Sequence, residues 1–142
     1  MEVNPYLNFN GNCEEAFNFY AKTFNGKILF KITHGETPEG HRNPELKDKI
    51  MHATLQVGDR VIMGSDAPQQ YYSKPQGVYV SLNIKEVAES ERVYNALSEN
   101  AAHIELPLGE TFWAERFGML TDRYGIPWMI NCEGVKAKQS AA

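Results

Sequence analysis

His52 and Glu115 are the side chains whose placement suggests proton chemistry. His52 lies in the run Ile50–Val57, where Ala53, Leu55 and Val57 alternate onto one face. A strand turns successive side chains to opposite sides. If that apolar face packs on a helix, His52, Thr54 and Gln56 project from the other. Matching Leu55 to Leu120 by the same parity puts Glu115, Phe117 and Met119 on the corresponding side of Glu115–Thr121, with Trp113 just before it. Desolvation and pairing can move an imidazole and a carboxylate toward neutrality, the condition for general acid–base catalysis. The structural alternative has His52 bonding a loop carbonyl and Glu115 at the solvent rim. Met63, Tyr79, Trp113, Phe117 and Met129 offer stacking and soft thioether contacts suited to a flat organic ligand, although such residues are also ordinary core. The candidate catalytic residues are therefore His52 and Glu115, and the candidate ligand contacts Thr54, Gln56, Met63, Tyr79, Trp113, Phe117 and Met129.

Other reactive side chains carry less. Cys13 falls in the first turn of a helix, where the dipole lowers a thiol pKa, but no basic partner is near in sequence. Cys13 and Cys132 have no metal-type spacing and are expected to be reduced. His34 and His41 flank a polar loop, and His103 has no companion at ligand spacing. No Gly-x-Ser-x-Gly elbow surrounds Ser65 or Ser81, which argues against a serine hydrolase.

The elements that must hold these residues repeat. Val3–Phe9 reads as a strand, and Asn10-Gly11-Asn12 as a turn. Asn12 and Glu15 have capping-box spacing for a helix with Ala16, Phe17, Tyr20 and Phe24 on its apolar face, closed by Gly26 as left-handed cap. Strands Lys27–Thr33, Ile50–Val57 and Arg60–Ser65 follow, with an inserted polar loop from Gly35 to Lys49 and a tight turn at Gly58-Asp59. After a linker from Asp66 to Gln76 the order recurs. Strand Val78–Ile84 is followed by helix Val87–Asn100, with Val87, Tyr94 and Leu97 inward, then strands His103–Leu106, Glu115–Thr121 and Ile126–Cys132. In the last turn Asp122 closes the chain and Gly125 takes positive φ, while Trp128 reads as core. Tyr20 and Tyr94 lie 74 apart and Met63 and Met129 lie 66 apart; the shortfall matches the loop present only in the first copy. Two modules of strand, helix and three strands make a mixed α+β chain, with module one over about residues 3–66, a linker over 67–76, module two over about 77–133 and a small basic tail over 134–142.

A chain of 142 residues has single-domain size. With 42% apolar and 23% charged residues, it has a globular composition. A net charge of −4 without a Lys/Arg run argues against nucleic acid as a partner. No apolar run approaches the ~20 residues of a membrane span. With no signal-peptide pattern either, the expected location is the cytoplasm.

Several ordered blocks resemble the PhnB-like branch of the glyoxalase/bleomycin-resistance/dioxygenase (vicinal oxygen chelate) superfamily. They are Tyr6–Phe9, Gly11–Ala16 with Phe19-Tyr20, His52–Leu55, Met63–Asp66, and Trp113 through Phe117–Trp128. The resemblance spans about residues 3 to 132. It implies two βαβββ modules forming a U-shaped mixed sheet around a cavity, and a homodimer. Members of known activity are lyases, dioxygenases, epimerases and thiol transferases, mostly metal-dependent; others bind antibiotics without chemistry.

In the metal-dependent relatives the ligands come from the first and last strands of each module. Those positions here, within a residue, are Pro5, Met63, Tyr79 and Met129. Proline has no donor, thioethers suit soft ions, and a phenol with pKa of about 10 is a poor neutral-pH ligand. No metal and no cofactor are therefore expected, although a non-standard divalent site is left open. Some relatives carry a ubiquinone-pathway methyltransferase label. A nucleotide-type cofactor needs a glycine-rich strand-to-helix turn, and this chain has none. The expectation is a metal-independent small-molecule-binding dimer, the alternative a lyase, isomerase or transferase using His52 and Glu115.

Overall fold

The first strand, β1, runs over Tyr6–Phe9. It starts later than the expected Val3, which is 89% exposed. Only Leu7 and Phe9 of β1 turn inward. The chain is seen in a computed structural model that describes residues 1–38 and 43–137. His41 lies outside the described residues. Two units form, Met1–Lys74 and Pro75–Ala142.

In the first unit, α1 (Cys13–Thr23) buries Cys13, Ala16, Phe17, Tyr20 and Thr23. That spacing of three to four residues is one helical face. The capping box does not form: Asn12 makes no side-chain cap bond. Instead Asp66 Oδ1 accepts the Gly11 and Cys13 N–H groups, each at 3.0 Å, and its Oδ2 accepts the Ile50 N–H at 2.8 Å. A full negative charge at a helix N-terminus outcompetes a neutral amide. The C-terminal assignment also shifts by one residue. Asn25, not Gly26, takes the left-handed conformation, with φ of 53°. Gly26 is required for a different reason, since a Cβ there would lie 2.5 Å from the Gln56 carbonyl oxygen.

Three more strands complete this unit: β2 (Lys27–Thr33), β3 (Ile50–Val57) and β4 (Arg60–Asp66). The loop between β2 and β3 holds 3-10 turns at His34–Glu36 and Pro44–Leu46. The sheet order is β1-β4-β3-β2, with β1 and β4 parallel and the other pairs antiparallel. Ala53 and Leu55 are buried, while His52, Thr54 and Gln56 lie on the more open face. Gly64 admits the helix closely: a Cβ would fall 2.8 Å from the Phe17 ring.

The second unit repeats the order with β5 (Val80–Asn83), α2 (Val87–Ser98), β6 (His103–Gly109), β7 (Arg116–Thr121) and β8 (Pro127–Cys132). Its sheet order, β5-β8-β7-β6, is that of the first unit. Val78 is outside β5 and 73% exposed. Leu97 turns inward on α2 as expected, but its companions are Ser90 and Val93 rather than Val87 and Tyr94. Ser90 is buried without an orphaned hydroxyl because its Oγ donates to the Val87 carbonyl at 2.7 Å. Asn100, with φ of 56°, terminates the turn after α2. β6 runs past Leu106, two register shifts carrying it on to pair Gly109 with Phe117.

The β7–β8 turn is built on Asp122, which is fully buried. Its Oδ1 accepts from the Tyr124 and Ile126 N–H groups at 2.8 and 3.0 Å, and its Oδ2 from the Trp128 indole N–H at 2.8 Å. Gly125 takes φ of 87°. Trp128 is 0% exposed and anchors the core beside Leu120, Ile126 and Ile130. The architecture is α+β, two four-stranded mixed sheets each with one helix. Among the described residues no helix is long and apolar enough to cross a membrane.

Candidate functional site

Each sheet has one face under its helix and one open face, and the candidate residues divide accordingly. On the first sheet, Tyr6 pairs with Met63, Met63 with Thr54 and Thr54 with Phe30. Register partners point the same way, so these side chains form one row. His52 occupies the neighbouring row, paired with Ile32. The Tyr6 ring stacks on the His52 ring with centroids 5.6 Å apart. The Tyr6 hydroxyl lies 3.1 Å from His52 Nδ1, and the Thr54 hydroxyl 3.2 Å from Nε2. Phe30 completes the surround at 6.1 Å. A neutral imidazole donates through one nitrogen and accepts through the other, and two hydroxyls satisfy either tautomer. His52 is thus held by side chains of its own sheet rather than by a loop carbonyl. Gln56 lies further along this face, exposed, opposite Val61 and Lys27.

On the second sheet Phe117 pairs with Asn131, and Met119 with Met129. These are half-buried, whereas Gly118, Leu120, Trp128 and Ile130 of the same strands are buried. Trp113 meets Phe117 edge-on, 5.2 Å between centroids. Tyr79 immediately precedes β5 and is half-buried. Glu115 precedes β7, and its Oε2 accepts the Val135 N–H at 3.0 Å. That bond fastens the 3-10 turn Gly134–Lys136. Glu115 therefore has a partner in its own unit, as His52 does.

Sequence parity missed Tyr6 and Phe30. Tyr6 lies on β1, whose position beside β4 depends on parallel pairing that no turn motif announces. Phe30 lies on β2 just past a register shift after Ile28, which period-two alternation does not foresee, and it is 51% exposed.

Register sharpens the comparison with metal-binding relatives: Tyr6, one residue from Pro5, stands beside Met63, and Ser81, two residues from Tyr79, beside Met129. A phenol bonded to His52, an alcohol and two thioethers do not fit a hard divalent ion. Among the described residues no three His, Cys, Asp or Glu side chains come together at metal-binding distance.

Nor is Cys13 an activated thiol. Its burial, with Asp66 and then Glu14 nearby, pushes the thiol pKa far up, against the lowering expected from the helix dipole. Burial likewise raises Cys132. In the native protein at neutral pH, iodoacetamide is expected to modify Cys13 at least about tenfold more slowly than in urea-unfolded chain. Equal rates, followed by mass spectrometry, would contradict the packing around α1. Because the folded pKa lies above the unfolded one, ionisation favours the unfolded chain as pH rises through the ordinary thiol range of about 8.5.

Residues 1–131 match the family model for 3-demethylubiquinone-9 3-methyltransferase. The chain belongs to this family, in its PhnB-like form. It is 36% identical to protein YjdN of Escherichia coli over 92% of this chain and 95% of that one. Protein PA1353 of Pseudomonas aeruginosa is 46% identical, covering 94% of this chain and 98% of its own, with a TM-score of 0.87. A Bacillus cereus PhnB protein that carries the same methyltransferase name is 24% identical, covers 93% and 99%, and has a TM-score of 0.80, a likeness of fold. The PhnB-like chain has the glyoxalase/bleomycin-resistance fold.

Proposed function

We propose that this PhnB-like chain is a metal-independent small-molecule-binding protein, acting as a cytoplasmic homodimer, whose ligand meets the open face of the second sheet. One observation carries the reading. The open face of the second sheet presents Trp113 edge-on to Phe117 beside the Met119–Met129 pair, an aromatic and thioether surface without a charged side chain among those four. Such surfaces hold flat organic ligands through stacking and adaptable sulfur contacts. The open face of the first sheet carries polar groups of its own in Tyr6, His52 and Thr54, of the kind that orient a ligand. Leu29 and Phe30, about half exposed on edge strand β2, are apolar surface of the kind a partner copy covers.

The reading is tested by thermal-shift titration with planar aromatic compounds and antibiotics. A concentration-dependent rise in melting temperature is expected for a planar ligand. Phe117→Ala is expected to weaken its binding about tenfold or more. Unchanged melting across the panel would remove the reading.

The second reading, an enzyme using His52 and Glu115, draws support from the Tyr6–His52–Thr54 chain, which fixes an imidazole on an open face as acid–base chemistry requires. On that reading His52→Ala abolishes turnover while the fold persists, and Glu115→Gln does the same. Loss of turnover on His52→Ala alone would place Glu115 in its structural bond to Val135.

A further inference from the structure

Trp113 belongs to the aromatic surface, yet it lies outside every strand, in the loop between Gly109 of β6 and Arg116 of β7. Its edge-on contact with Phe117 therefore depends on how that loop is held. Burial fixes Ala114, which is 0% exposed. Within the loop, Thr111 N–H donates to the Ala114 carbonyl at 3.0 Å, and Ala114 N–H donates to Thr111 Oγ1 at 3.1 Å. A second set of bonds reaches the loop from the end of the chain.

After β8 the chain makes the 3-10 turn Gly134–Lys136 and grips the loop on both sides of Trp113. On the β6 side, Lys136 Nζ donates to Glu110 Oε1 at 2.9 Å and to the Thr111 carbonyl at 2.6 Å. On the β7 side, Glu115 Oε2 accepts the Val135 N–H at 3.0 Å. Gly134, with φ of 58°, lets the turn come this close, because a Cβ there would collide with the Glu115 carboxylate. A solvent-exposed ion pair holds little. Lys136 differs from one, since its side chain is 20% exposed and its ammonium also bonds a backbone carbonyl. That carbonyl belongs to Thr111, two residues before Trp113.

We propose that the C-terminal turn is a latch that sets Trp113 against Phe117 and so holds the ligand surface in its binding shape, with Lys136 and Glu115 as positioning residues. This rests on the reading that the ligand binds the open face of the second sheet. A loop ordered in advance spares the ligand the cost of ordering it. Opening the latch therefore lowers affinity while every ligand-contacting side chain remains in place.

The test compares the native full chain with Lys136→Met, which keeps the apolar stem and removes the ammonium, and with Glu115→Ala, which opens the other grip. Three readouts are taken: acrylamide quenching of tryptophan fluorescence, the indole N–H resonances, and calorimetric titration with acridine as the planar probe. Trp128 is 0% exposed and bonded to Asp122, so quenching reads Trp113, while the Trp128 indole resonance reports whether the core is intact. Each variant is expected to show steeper quenching, a moved Trp113 resonance and an unmoved Trp128 resonance. Acridine binding is expected to weaken about three- to tenfold.

Native quenching in a variant whose Trp128 resonance is unmoved would overturn the latch. Steeper quenching with native affinity would do the same. So would a Trp128 resonance that moves together with that of Trp113, which signals loss of folding rather than release of a loop. A native protein that does not bind acridine counts against the aromatic surface instead; the quenching comparison needs no ligand and still decides the latch.

Discussion

Asp122→Ala is expected to lower stability by about 3–5 kcal/mol, because it orphans three buried donors that each cost roughly 1–3 kcal/mol when unpaired. The donors are the Tyr124 and Ile126 N–H groups and the Trp128 indole N–H. The indole cannot turn to water, since Trp128 is 0% exposed. Both tryptophans, Trp113 and Trp128, belong to the second unit, so intrinsic fluorescence during urea unfolding reads the unit in question. Asp122→Asn keeps one acceptor oxygen but turns an NH2 group toward a donor, and is expected to fall between alanine and the native protein. A loss below about 1 kcal/mol for the alanine variant would mean that the turn is held by packing instead.

Asp66→Ala is the counterpart in the first unit, with an expected loss of about 3–5 kcal/mol for the same reason. One carboxylate there ties the start of α1 to the start of β3 through Gly11, Cys13 and Ile50. Removing it also takes away the charge that favours the N-terminal end of the helix dipole. Hydrogen exchange is the suitable readout, because the first unit contains no tryptophan. The Cys13 and Ile50 amides are expected to lose protection first, as local opening precedes global unfolding. Unchanged protection at both would show that Asp66 is dispensable to the α1–β3 junction.

These two aspartates show what was and was not legible in the sequence. The duplication was legible, because hydrophobic alternation and helical spacing are local signals. β2 and β3 end where alternation placed them, at Lys27–Thr33 and Ile50–Val57. The role of Asp66 was not, since its partners lie 16 to 55 residues away. The nearer polar side chain, Asn12, was the reasonable local choice for a cap. The inward face of α2 was misjudged for a similar reason. Ser90 reads as a surface residue until its hydroxyl is seen to be satisfied within the helix.

The candidate site divides along the same line. Parity alone put Phe117 and Met119 on one face and Gly118 and Leu120 on the other. Parity could not say that Tyr6 reaches His52, because that contact depends on two strands meeting across a parallel pair with Met63 between them. Nor could it say that Glu115 bonds Val135, a partner 20 residues away in a turn with no apolar period.

Metal independence is the claim on which the functional account turns. Calorimetric titration of a planar aromatic ligand into protein treated with EDTA, repeated after adding Mg²⁺, Mn²⁺, Ni²⁺, Zn²⁺ or Fe²⁺, tests it most directly. The account predicts saturable binding in EDTA and the same affinity with each metal. Binding that is absent in EDTA and restored by a stoichiometric divalent ion would contradict it.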